Sequence, residues 1–130
     1  MQYDLEGRTK KFSKEVMEQL TTIKIHDLNR NIITQLSRSV TSVAANYREA
    51  NAASSRNDFR NKIFICRKEI QETEYWIEML ATTNPGLKEK LRQFWREAHE
   101  LTLIFNKISS SLRAKDRTTS KITAAGDNEN

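Results

Sequence analysis

The chain has one cysteine, one proline and three glycines. A lone Cys66 permits no internal disulfide framework, and a reducing compartment is its simplest setting. With Pro85 the only proline and glycine scarce, turn punctuation is thin, which argues against many short strands and for a few long elements. No apolar run approaches the roughly 18 residues that crossing a bilayer takes. The opening stretch, Met1 to Glu6, has neither the basic start nor the apolar core of a secretory signal. These absences together imply a cytoplasmic protein with no membrane partner.

What is present is a globular balance: 37% hydrophobic and 30% charged residues in a chain of 130, enough for one buried core. Lys and Arg number 22 against 17 Asp and Glu, a formal net charge of +5. That surplus is compatible with a nucleic-acid partner without requiring one.

Apolar spacing predicts four helices. Over 86–113, Leu87, Leu91, Phe94, Ala98, Leu101, Phe105, Ile108 and Leu112 recur at alternating steps of four and three, the seam of a helix packed in a bundle. Over 56–83, Phe59, Ile63, Cys66, Ile70, Thr73, Ile77 and Leu80 repeat the pattern. Ile33, Leu36, Val40, Val43, Tyr47 and Ala50 mark a helix over 27–52, and Leu5, Phe12, Val16, Leu20 and Ile23 a less regular one over 4–23. Asn84-Pro85-Gly86 ends the third helix, because the residue before proline leaves the helical region and proline suits a first turn. Ser54 or Ser55 is expected to cap the third helix and Asp27 the second. Short connections favour antiparallel neighbours, hence an all-α, up-down-up-down four-helix bundle over 1–113. The pattern lapses over 114–130, which reads as a flexible tail, basic and then acidic. Small residues between Ser37 and Ala45 suit close helix packing.

No arrangement of residues points to catalysis. Bundle metal sites use Glu-x-x-His pairs, but Arg96 stands three residues before His99. His26 falls near a predicted loop, and Cys66 lies on the seam, so no metal or other cofactor is expected. There is no glycine-rich phosphate loop and no nucleophile elbow. Glu69, Glu72, Glu74 and Glu78 spread around their helix instead of converging, as carboxylates paired with neighbouring helices would.

Two surface features stand out. Ile65, Trp76 and Met79 share a stripe facing away from the seam of the third helix, where a lone bundle would be polar, and this marks a self-association surface. Arg56, Arg60 and Arg67 fall within about 40° of one another on an ideal helix. Arg56 and Arg60 repel at four-residue spacing, and Arg56 sits at the positive end of the helix dipole. A nearby anion would offset both costs. With Arg48 at the same end of the hairpin, these four form a candidate nucleic-acid surface; carboxylates within the bundle are the alternative partners. Arg113, Lys115, Arg117 and Lys121 add a basic arm.

The run Gln35-Leu36-Ser37-Arg38-Ser39-Val40-Thr41-Ser42-Val43-Ala44-Ala45-Asn46-Tyr47-Arg48-Glu49-Ala50 resembles the signature of the 23S rRNA intervening-sequence protein family, also called four helix bundle proteins. Asp58-Phe59 through Lys62, then Glu69, Glu72 to Trp76 and Glu78 to Leu80, continue the resemblance, as do Asp4-Leu5, Arg8-Thr9 and Phe12. It covers about residues 4–112 and is most specific in the two middle helices. The resemblance implies a bundle that assembles into a ring-shaped homopentamer. The family is itself similar to the accessory variability protein of diversity-generating retroelements, a basic pentamer that engages reverse transcriptase and nucleic acid. The expected function is therefore a non-enzymatic homo-oligomer that binds RNA, or a reverse-transcriptase-like or ribonucleoprotein partner. A protein–protein adaptor without nucleic-acid contact is the alternative.

Overall fold

The computed structural model describes the backbone of residues 4–128 and the side chains of residues 4–118. Four α-helices follow in order: α1 (Leu5–Leu20), α2 (Arg30–Asn51), α3 (Arg56–Thr83) and α4 (Lys88–Asn128), and no strand occurs among the described residues. Each helix packs on its sequence neighbours, and α4 closes the bundle against α1. The fold is the expected four-helix bundle.

The seams decide which face is buried. Leu36, Val40 and Val43 of α2 meet Ile63, Cys66, Ile70, Ile77 and Leu80 of α3, with Leu91, Ala98, Leu101 and Phe105 of α4. Phe12 and Phe94 pack edge to face with centroids 6.2 Å apart, joining α1 to α4. Tyr47 meets Phe105 in the same manner at 5.8 Å. Small residues on α2 let α3 come close: the Ser39 and Thr73 hydroxyls meet at 3.0 Å in the interior, and the Cys66 thiol reaches the Val43 carbonyl at 3.7 Å.

Capping sets the ends. The Asp4 carboxylate accepts the Gly7 amide at 2.9 Å, and a Cβ on Gly7 would press on that carboxylate. Ser55 caps α3 by accepting the Asp58 amide at 3.0 Å. Asp27 does not cap α2. The N-cap position belongs to Asn29, whose buried side chain bonds outward instead of to the helix. A single 3₁₀ turn, Pro85–Leu87, delays the start of α4 to Lys88.

The fourth helix passes the expected end at 113 and continues to Asn128. Leu112 is its last buried apolar residue among the described side chains, and the four-three spacing stops there. Polar contact supports it: Asp116 binds Arg60 of α3 at 2.8 Å. Glu129 and Asn130, the end of the predicted tail, lie outside the described residues.

Burial pushes the Cys66 thiol up to about 12 from an ordinary 9.0. Between those values the folded chain keeps a proton that the unfolded chain releases, so stability falls as pH rises through that window. Burial also raises Tyr47, and the hydrogen bond to Glu49 raises Lys62, which add losses of the same sign. Chemical denaturation between pH 8 and 11 should show the Cys66 part of this decline, on the order of a few kcal/mol. Cys66→Ala should flatten it; an unchanged slope would place the linked protons elsewhere.

Candidate nucleic-acid interface

The four arginines singled out by spacing divide into two kinds. Arg60 donates to Asp116 at 2.8 Å and to Asn57, and its Nε is buried without a partner. The Arg67 Nε donates to Asn106 at 2.9 Å. Both side chains thus lace α3 to α4. Arg48 and Arg56 are exposed and have no ion pair among the described residues. Arg56 stands beside Lys115 and Thr118 of α4. Arg48 lies on the opposite flank, in the α1–α2 groove with Asp4, Glu6 and Lys10. The two share an end of the bundle but not a face. Their helices turn these positions toward different neighbours, a rotation that spacing within one helix does not reveal. In the basic arm, the Arg113 guanidinium lies over the Phe64 ring at 5.3 Å, Arg117 is exposed, and the Lys121 side chain lies outside the described residues.

Ile65, Trp76 and Met79 do lie along one flank of α3. Ile65 is 37% exposed, whereas Trp76 and Met79 are partly buried, Trp76 against the edge of the core. Tyr75, half exposed, meets Trp76 edge to face at 4.8 Å, and Asn31, Gln35 and Arg38 of α2 form the facing wall. Among the described residues the most exposed large apolar side chains are elsewhere: Leu28, at 74%, in the α1–α2 connection and Leu103, at 55%, on α4.

Glu69, Glu72, Glu74 and Glu78 of α3 each find a partner across a helix boundary. Arg38 of α2 reaches Glu72 at 2.7 Å and Glu69 at 3.4 Å. Glu74 accepts the Thr102 hydroxyl at 2.7 Å and lies 3.1 Å from His99 Nδ1. Glu78 accepts the Trp95 indole N–H at 2.9 Å, and that indole stacks on His99, centroids 4.9 Å apart and planes 7° from parallel. On α1, Arg8 grips Glu97 with two hydrogen bonds of 2.6 and 3.0 Å and Glu100 with a third of 2.6 Å, clamping α1 to α4. Among the described residues no three His, Cys, Asp or Glu side chains gather as metal ligands. No helix there is long and apolar enough to cross a membrane.

Below Trp95 the structure shows a feature missed in the sequence. A groove of about 420 Å³ runs between α3 and α4, floored by Ile77, Ala81 and Leu91 and edged by Lys88, Arg92 and Arg96. The spacing of those three cations, one every four residues, was the available signal. Within one helix that spacing marks only a charged flank of the seam; the apolar floor needs Ile77 and Ala81 from the neighbouring helix.

Residues 2–107 match the family model described as 23S rRNA-intervening sequence protein. The chain belongs to the 23S rRNA-intervening sequence protein family. A family-level relative has the same fold: a protein of unknown function from the S23 ribosomal protein family of Bacteroides thetaiotaomicron, known from a crystal structure. Sequence identity is 30% and the TM-score 0.69, over 80% of this chain and 96% of that one. No protein of curated function matches the chain in sequence. The family segment ends at 107, so Asp116, the partner of Arg60, and Lys115, beside Arg56, lie beyond it, whereas the whole Trp95 groove lies within it.

Proposed function

We infer that this member of the 23S rRNA-intervening sequence family is a non-enzymatic, self-associating helical bundle, a pentamer by family resemblance, that binds RNA or a ribonucleoprotein through basic surfaces. The observation that carries this reading is the surplus of cations, 22 against 17, together with exposed Arg48 and Arg56, which form no ion pair among the described residues although Arg48 shares a groove with Asp4 and Glu6. The family name supplies an rRNA context. Ring symmetry would multiply a weak patch, and several patches held together bind a long polyanion far better than one. Ile65, Trp76 and Met79 are the proposed self-association surface, with Arg48, Arg56, Arg60 and Arg67 as the proposed RNA contacts. Of these, Arg48 and Arg56 are the free cations, and Arg60 and Arg67 would have to exchange an internal partner for a phosphate. That engagement favours the adaptor reading as the alternative.

RNA affinity should fall steeply with added salt, because each neutralised phosphate releases counterions. Arg48→Gln with Arg56→Gln should weaken binding alike across RNA sequences and leave the melting temperature nearly unchanged, both side chains being exposed. Light scattering should give a mass several times 15.2 kDa, lowered by Trp76→Glu with helicity intact. A monomer at high micromolar concentration, or no salt-sensitive RNA binding, contradicts the corresponding part of the reading.

A further inference from the structure

The geometry points to the α3–α4 groove around Trp95 as a binding site for single-stranded RNA, with a base against the indole and successive phosphates along Lys88, Arg92 and Arg96. The site deepens the RNA-binding reading above and lies at the end of the bundle away from Arg56.

The first support is charge without partners. The three cations recur every four residues, a rise of about 6 Å per step along the helix. That matches the separation of neighbouring phosphates on an extended strand. Like charges at this spacing disfavour the helix. Among the described residues only Arg92 makes an ion pair, with Glu89 at 3.7 Å on the surface, an arrangement worth little; Glu78 also lines the groove, where it is held by the Trp95 indole N–H. Lys88 and Arg96 have no ion pair among the described residues. A row of cations held at this cost beside an apolar floor is complementary to a polyanion that also carries flat apolar surfaces.

The second support is the indole itself. Its N–H is tied to Glu78 and its ring is stacked on His99, so its orientation is set before any ligand arrives. A pre-set aromatic wall loses little freedom when a base stacks on it. Base–aromatic stacking is tolerant of sequence, because every base has a π-face. The groove, at about 420 Å³, lies toward the small end of ligand sites and suits a single flat base better than a row of helix side chains. In a duplex the bases are already stacked, so the single strand is the form that fits.

The test uses the native chain, with the Trp95 fluorescence obtained as the difference from a Trp95→Phe variant. Titration with a short oligouridylate should quench that signal, and a duplex of equal length should bind more weakly without quenching. Arg92→Gln with Arg96→Gln should cut affinity about tenfold or more at low salt. It should also flatten the slope of log affinity against log salt by about 1.4, the value for two single-strand phosphates. Both side chains are exposed, so melting should stay as in the parent. If RNA still binds the double variant as tightly, this site fails and the proposed function stands on other surfaces. If the parent binds no RNA at low salt, both fail. If polyglutamate quenches Trp95 and competes equally, the partner is an acidic protein and the inference is overturned.

Discussion

Phe105→Ala will destabilise the bundle by about 4 kcal/mol, the usual range for deleting a fully buried phenyl ring. Phe105 is 0% exposed and stands where α4 faces α2 and α3, edge-on to Tyr47. Removing it forfeits its transfer energy, leaves a cavity that rigid helices fill poorly, and breaks an aromatic pair worth about 1 kcal/mol. For a chain of this size the melting temperature should fall by roughly 10–20 °C. Leu103, two residues away on the same helix and 55% exposed, is the control. Leu103→Ala should change stability by no more than about 0.5 kcal/mol. Comparable losses at the two positions, measured by chemical denaturation, would mean that α4 is rotated from the register described above.

Asn29→Ala should cost about 3 kcal/mol, through polar groups instead of packing. Asn29 is 0% exposed and makes three hydrogen bonds. It accepts from the His26 amide at 2.8 Å, and donates to the Lys24 carbonyl at 3.0 Å and to Asn84 Oδ1 at 3.2 Å. The last of these ties the α1–α2 connection to the turn between α3 and α4. Alanine strands all three partners, and a buried unsatisfied group costs about 1–3 kcal/mol. Asn84→Ala should cost less, since it removes one of these bonds along with a side-chain bond to the Leu80 carbonyl. In a double-mutant cycle the pair should couple by about 0.5 kcal/mol or more. Amide exchange in Asn29→Ala should rise first over residues 21–29. Stability within about 0.5 kcal/mol of the parent would show that water replaces the side chain at no cost.

The assembly and RNA readings depend on the bundle but not on these interior positions. That separation makes Arg92→Gln with Arg96→Gln informative, because exposed cations can be removed without disturbing the seams that Phe105 and Asn29 hold.

Helix number, order and burial face were legible from the chain alone. Leu91, Ala98, Leu101, Phe105 and Leu112 are buried where the four-three spacing put them, as are Ile63, Cys66, Ile70, Ile77 and Leu80. Periodicity encodes this because burying one apolar stripe is a local property of a helix. The Ser55 cap and the break at Pro85 were readable for the same reason. Only the tertiary structure decided how each helix is rotated against its neighbours. It gave Arg60 to Asp116 and Arg67 to Asn106, left Arg48 and Arg56 on different flanks, and drew Trp76 partly into the core edge. It also carried α4 past 113 on polar contacts that no apolar pattern announces, and set Trp95 beside Lys88, Arg92 and Arg96 over an apolar floor built from two helices. Spacing within a segment fixes which residues share a face of one helix; which face meets which is set by packing between helices far apart in the chain.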